Sequence, residues 1–179
     1  PNHIHFPVQK MALESGFNVM SDKPMCFNLK EAEQLVEIVN DSGLLFGLTH
    51  NYTGYPMVKE AKHRVSNGEF GKIRKIIVEY SQGWLATFLE NEDQKQASWR
   101  TDPNKAGSSC CIGDIGTHAE NLGEYITGLK IEEICCEFTT FVDGRHLEDD
   151  ANMLVKYDNC LLYTSDAADE RSSVDLGGR

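Results

Sequence analysis

Three short motifs hold side chains able to move a proton or grip a polar ligand. The first is Asp22-Lys23-Pro24, directly after the apolar run of residues 17–20. Ligands of a parallel α/β sheet gather at the carboxyl ends of its strands, so a Lys there is expected to face the crevice. Pro24 keeps the residue before it extended. Partial desolvation disfavours an ammonium, so Lys23 is expected to have a lowered pKa and to shuttle a proton. The second motif is Gly113-Asp114-Ile115-Gly116-Thr117-His118. An Asp and a His four residues apart at a helix start share a face and can reach one ligand. The helix N-terminus would favour an anion or a developing alkoxide beside them. The same pair also fits an N-terminal cap followed by a hydrogen-bonded core histidine. The third is Trp99-Arg100, in the loop just before: a flat stacking surface and a fork for hydroxyls or phosphate oxygens. Adjacent Trp and Arg equally serve packing or an interface.

The elements that must position these residues follow from hydrophobic period and punctuation. Residues 3–14 carry a helical stripe of Ile4, Val8, Met11 and Ala12, with Pro7 near the first turn and Gly16 at the left-handed stop. Residues 17–20 are strand-like. Asn28 opens a second helix, with Glu31 completing a capping-box pattern. Ala32, Leu35, Val36 and Val39 form its expected buried face, and Gly43 closes it. Residues 44–49 (LLFGLT) form a buried-type strand, giving the helix–strand alternation of a parallel sheet. Pro56 starts a third helix that stops at Gly68. Residues 73–80 are expected to form a strand, and residues 85–109 to be a polar stretch without clear period. A helix is expected over 115–127, then strands over 131–142 and 151–157, suited to an antiparallel second domain. The boundary is placed near residues 49–56.

Composition narrows the function. The chain has 179 residues, 40% hydrophobic and 25% charged, as in ordinary globular domains. A net charge of −11 without a basic stretch argues against a nucleic-acid partner and against docking on an anionic membrane. No apolar run approaches the roughly 18–20 residues of a bilayer span, and no leader pattern is visible. Six Cys, four of them in two adjacent pairs, show no zinc spacing and suit a reduced, cytoplasmic protein. No metal is expected: Asp114, His118, His3 and His5 lack ligand spacing. A neutral, polyhydroxylated small molecule fits the charge. Residues 160–179 (CLLYTSDAADERSSVDLGGR) resemble a translated transposon-end sequencing adapter, in frame on both sides of a barcode-sized gap. They are expected to be a non-native tail that contributes nothing to the fold.

In this order and spacing the motifs resemble the Gfo/Idh/MocA family of oxidoreductases, which includes glucose–fructose oxidoreductase and inositol dehydrogenase. The likeness runs from Pro1-Asn2-His3-Ile4-His5 through Asp22-Lys23-Pro24, where the family has E-K-P, and Asn51. It ends on Ser98-Trp99-Arg100 and Gly113-x-x-Gly116-x-His118, covering residues 1–159. The resemblance implies an α/β fold: the C-terminal part of a Rossmann-type dinucleotide-binding domain (1–50), then the first part of an α+β domain with a mainly antiparallel sheet (51–159). It implies a catalytic trio of Lys23, Asp114 and His118. It implies NAD or NADP bound by Asn2, His5, Asp22, Lys23 and Asn51, with Trp99 and Arg100 as a further cofactor contact. The implied reaction moves a hydride between a sugar or polyol carbon and the nicotinamide. His118 or Lys23 would take the hydroxyl proton while Asp114 orients them.

Departures are also plain. The family's G-x-G-x-x-G phosphate turn and acidic ribose-binding residue are not in this sequence, so the chain is expected to be an internal fragment, itself inactive, of a longer homo-oligomeric enzyme. Cys110-Cys111 replace a Gly-rich pair and are expected to narrow the pocket wall. Two other readings share the fold: a glycosidase that works by transient oxidation on a retained nicotinamide, and a sugar-sensing regulator that binds dinucleotide without turnover.

Overall fold

A computed structural model describes residues 1–158 and 161–164. A 3-10 turn at Asn2–Ile4 feeds helix α1 (His5–Glu14), which tolerates Pro7 because first-turn N–H groups need no helical acceptor. Gly16, at φ +84°, ends it: Gly16 N donates to Leu13 O and Phe17 N to Ala12 O, so the last carbonyls are satisfied. The expected apolar stripe is not the buried face. Ile4, Val8 and Met11 are 46%, 61% and 67% exposed, while Gln9 and Leu13 are buried. The reason lies in what α1 covers. Gln9 Nε2 donates to Ser21 Oγ (2.6 Å) and Met25 O (2.9 Å), so this face ties down the loop after the first strand.

That strand, β1 (Val19–Ser21), pairs in parallel with β2 (Phe46–Leu48), and helix α2 (Leu29–Ser42) makes the crossover between them. Asn28 caps α2, its Oδ1 accepting from Glu31 N at 2.9 Å. Glu31 reaches back to Phe27 N (3.0 Å), one residue earlier than the usual reciprocal bond. Leu35 is fully buried, Val36 is exposed, and Gly43 closes the helix at φ +64°. Helix α3 (Pro56–Ser66) has its proline at the first position and packs on a later helix, α6.

The expected strand over 73–80 is absent. The apolar side chains Ile73, Ile76 and Val78 pack against Val155 and Tyr157. The stretch 85–109 is more ordered than its composition indicates. A 3-10 turn at Leu89–Asn91 is followed by α4 (Lys95–Arg100) and α5 (Pro103–Ala106), capped by the side chains of Gln94 and Asp102. Trp99 and Arg100 thus end a helix and do not sit in a loop. A π-helical turn at Ile112–Gly116 leads into α6 (Thr117–Thr127), which Gly128 terminates at φ +75°.

Strands β3 (Ile131–Thr139) and β4 (Asp150–Tyr157) are antiparallel, as expected. A third strand, β5 (Leu161–Thr164), pairs antiparallel with β4, so this part of the segment set aside as a foreign tail does join the sheet. Leu-Leu-Tyr-Thr is a strand-favouring run beside a free edge. The rest of that segment, 160 and 165–179, lies outside the described residues. No helix among the described residues is long and apolar enough to cross a membrane.

Two buried charge clusters hold the second half together. The Arg145 side chain, 0% exposed, bonds both oxygens of Glu90 (2.8 and 2.9 Å), Asp149 (3.2 Å) and the carbonyls of Leu85 and Thr87. Glu148 Oε1 accepts from Ser109 Oγ, Cys110 N and Ile112 N, fixing the entry to the π turn. Arg145→Met would leave Glu90 and Asp149 without their cation. Removing one partner of a buried ion pair costs about 3–5 kcal/mol. Urea unfolding at neutral pH should show a loss of that size, and a loss under about 1 kcal/mol would contradict this account.

Candidate active site

The loop after β1 is fixed from three directions. Asp22 Oδ1 accepts from Lys23 N (2.8 Å) and from Thr49 Oγ1 (3.0 Å), which joins the ends of the two parallel strands. His5 Nδ1 lies 2.7 Å from Pro24 O, across a cis Lys23–Pro24 peptide. Lys23 therefore emerges where the carboxyl ends of β1 and β2 open, and its ammonium reaches across to the second domain. It donates to Asp114 Oδ1 at 2.6 Å and to Asp114 O at 2.5 Å.

Asp114 is the hub. Its other oxygen, Oδ2, accepts from Arg100 Nε at 3.0 Å. Arg100 also bonds Gln96 Oε1, and its guanidinium stacks 4.3 Å from the Trp99 ring and 5.8 Å from that of Trp84. Burial works to raise the Asp114 pKa, but the hydrogen bonds and charges of Lys23 and Arg100 outweigh it and hold the carboxyl below its ordinary 3.8. Asp114 is thus neither a helix cap nor the group that orients His118, since Lys23 and Arg100 bind its two oxygens.

His118, in the first turn of α6, points elsewhere. It is 6% exposed, its ring centroid 4.7 Å from that of Tyr52 and 5.8 Å from that of His50. Its Nδ1 is buried without a hydrogen-bond partner, so it is not a satisfied core histidine. Burial first, then the charges of Lys23 and His50, push its pKa below 6.5, against the opposite pull of Asp114 and Asp22. A ring so placed is neutral at physiological pH and free to accept a proton.

Two adjoining cavities share a wall made of Lys23, Arg100, Asp114 and Gln96. One, about 480 Å³, is lined also by Asn2, His5, Asp22 and Trp99; the other, about 400 Å³, by Tyr52, Tyr80, Gln82, Trp84 and His118. Most of the residues expected to do chemistry or bind a cofactor therefore converge. Asn51 does not: it is exposed, begins a 3-10 turn after β2, and lines neither cavity. His3 and His5 lie against separate backbone carbonyls, of Lys105 and Pro24, and do not converge with His118. Cys110 lines the first cavity and Cys111 does not. Burial pushes their thiols up to about 11 and about 12, so neither is a thiolate at neutral pH.

Sequence reasoning missed the polar lining of the second cavity. The hydroxyls of Tyr52 and Tyr80 lie 2.5 Å apart, Gln82 Nε2 donates to Tyr80 (3.2 Å), and Trp84 Nε1 donates to Gln82 Oε1 (3.1 Å). The hydrogen bond to Tyr80 and then burial push Tyr52 up to about 12, so it stays a neutral phenol. The alternation Tyr80, Gln82, Trp84 was the available signal, because residues two apart share one side of an extended chain.

Comparison with known proteins bears on this arrangement. Residues 1–50 match an oxidoreductase family with an NAD-binding Rossmann fold, and residues 58–173 match the GFO/IDH/MocA C-terminal domain. The chain is 32% identical over 166 residues to the uncharacterized oxidoreductase YfiI of Bacillus subtilis, covering 92% of this chain and 42% of that one. It is 28% identical over 148 residues to levoglucosan dehydrogenase of Pseudarthrobacter phenanthrenivorans, covering 83% and 36%. The crystal structure of an inositol dehydrogenase homolog from Azotobacter vinelandii, complexed with NADH and myo-inositol, superposes with a TM-score of 0.81 at 32% identity, covering 96% and 44%. The chain thus spans less than half the length of these relatives.

The hub has a pH signature. A carboxyl depressed in the folded state contributes stability that is complete above its unfolded value and lost as pH falls through the folded one. Asp114→Asn should therefore cost about 3 kcal/mol at pH 7, as for a broken buried ion pair. The gap between variant and parent should narrow once pH drops below 3.8, where the parent's carboxyl starts to protonate. Urea unfolding at pH 7 and pH 3 checks this, and an unchanged gap would refute it.

Proposed function

Because this chain belongs to the GFO/IDH/MocA family of oxidoreductases, we propose that its site serves hydride transfer between a sugar or polyol CH–OH carbon and a nicotinamide cofactor, NAD or NADP. The observation that carries this reading is the shared wall. Lys23 and Asp114 stand between a cavity lined by Asn2 and His5 and a second lined by His118.

The first cavity fits the nicotinamide. Asn2 Nδ2 is bonded to Ala106 O (2.8 Å), yet its buried Oδ1 has no partner and can accept from a carboxamide N–H. His5, Asp22, Lys23, Trp99 and Arg100 would complete that side, and the bound nicotinamide supplies the hydride acceptor or donor.

The second cavity suits a polyol. Tyr52, Tyr80, Gln82 and Gln96 offer hydroxyl and amide partners for substrate hydroxyls, and Trp84 an apolar face for ring C–H groups. His118 takes the hydroxyl proton during oxidation. Lys23 has one N–H left after its two bonds to Asp114, and aims it at the substrate oxygen as negative charge develops. Asp114 is the positioning residue for Lys23. The inositol dehydrogenase homolog, solved with NADH and myo-inositol, and the levoglucosan dehydrogenase support this substrate class. The free thiols of Cys26, Cys110, Cys111, Cys135 and Cys136 support a reducing, cytoplasmic location. Ile134 and Phe138, exposed on β3, support self-association of the full-length enzyme.

In the full-length enzyme, His118→Ala should lower turnover about 10²–10⁴-fold, as expected for a general base, and Lys23→Ala about 10²–10³-fold, as for a donor to developing negative charge. Cofactor affinity should change far less. The measurement is steady-state turnover on a panel of sugars and polyols, with cofactor Kd by calorimetry and folding checked by thermal unfolding. A stably folded His118→Ala enzyme with near-normal turnover would overturn the assignment. Dinucleotide binding without turnover of any sugar by the parent would favour the regulator.

A further inference from the structure

His50 is a part of this region that the chemistry above does not use. It follows β2 and opens the 3-10 turn of Asn51–Gly54, where its carbonyl accepts from Thr53 Oγ1 (2.7 Å) and Thr53 N (3.2 Å). That turn fixes two rings against one target. The His50 ring meets His118 edge-on, at 87° and 5.8 Å between centroids, and Tyr52 meets it at 70° and 4.7 Å. The Nδ1 atoms of both histidines are buried without a hydrogen-bond partner. One orphaned buried nitrogen costs stability and calls for a reason. Two on facing rings, beside a cavity, point to a requirement of function.

We propose that His50 is a positioning residue for His118, seating its ring in the cavity wall and keeping it available as a proton acceptor. This rests on the reading of His118 as the base. The groups facing His118 explain how. Lys23 and His50 both oppose a positive charge on its ring, and Asp22 and Asp114 favour one. Asp114 is weakened in that role because Lys23 and Arg100 bind its two oxygens. Tyr52 adds bulk and no charge. His50 is in turn disfavoured as a cation by its own burial and by Lys23. Two imidazoles this close to an ammonium do not both hold protons, so His118 stays neutral to lower pH than a lone histidine would.

The test is the pH dependence of kcat/KM in the full-length enzyme, for the parent, His50→Gln and His50→Phe. Gln keeps a polar group without a titrating ring, and Phe keeps the ring without a charge. Both variants should move the acid limb to higher pH, because an influence that lowers the His118 pKa has been removed. Profiles superimposable on the parent's would overturn the proposal. If neither variant folds, titration of the parent's His118 by NMR of labelled imidazole decides. A midpoint below 6.5, moving as His50 titrates, supports the proposal, and one at or above 6.5 overturns it. Failure of the base assignment is distinguishable, since His118→Ala would then retain turnover whatever the His50 variants do.

Discussion

One carboxylate divided between two cations sets the geometry of this molecule. Asp114 holds Lys23 on Oδ1 and Arg100 on Oδ2, and the three come from separate segments: the loop after β1, the end of α4 and the π turn before α6. A partly buried arrangement of this kind recovers its desolvation cost only if every distance is short and every remaining hydrogen-bonding site is used. The surrounding structure meets most of that demand and leaves one Lys23 N–H unused. Asp22 and His5 fix the loop that carries Lys23, Gln96 and the Trp rings hold the Arg100 guanidinium, and Glu148 fixes the approach to the π turn.

The π turn has a second consequence. In a regular helix, residues four apart look the same way, and Asp114 and His118 were expected to meet one ligand together. They do line one cavity, but across the wider turn at Ile112–Gly116 they take different partners. Asp114 faces Lys23 and Arg100, while His118 faces Tyr52 and His50. Single π turns recur at functional sites, and this one divides labour. Asp114 holds two cations in place. His118, away from any strong partner, is left uncharged.

How much could be read from the sequence follows the range of each interaction. Local rules were legible: the Asn28 cap, the stops at Gly16, Gly43 and Gly128, and Pro56 at a helix start all act within a few residues. The motifs carrying Lys23, Asp114 and His118 indicated a shared site, and the three line one cavity; the partners each takes were not legible, because the π turn has no strong sequence signature. What failed depended on distant partners. The α1 stripe was assigned by period, but Gln9 is buried because Ser21 and Met25 need it. Residues 73–80 have strand composition, yet they are not a strand, and Ile73, Ile76 and Val78 pack as side chains on Val155 and Tyr157. Tyr52 and His50 gave no local hint, since their roles exist only once the chain has brought them beside His118.

The site is therefore conditional in a way its motifs do not reveal. Helix α4 has six residues, too few to persist alone, because helix nucleation is unfavourable and short segments gain little from propagation. Its anchors are the Arg100–Asp114 pair at its end and the approach through Glu90, which Arg145 grips from the far side. Gln96 and Arg100 of α4 belong to the wall shared by both cavities. If the Asp114 carboxylate is lost, Arg100 loses its charge partner and α4 loses an anchor. The wall between the two cavities loosens along with the catalytic charge. Position and chemistry in this fold rest on the same ion pair, and a change there cannot alter one without the other.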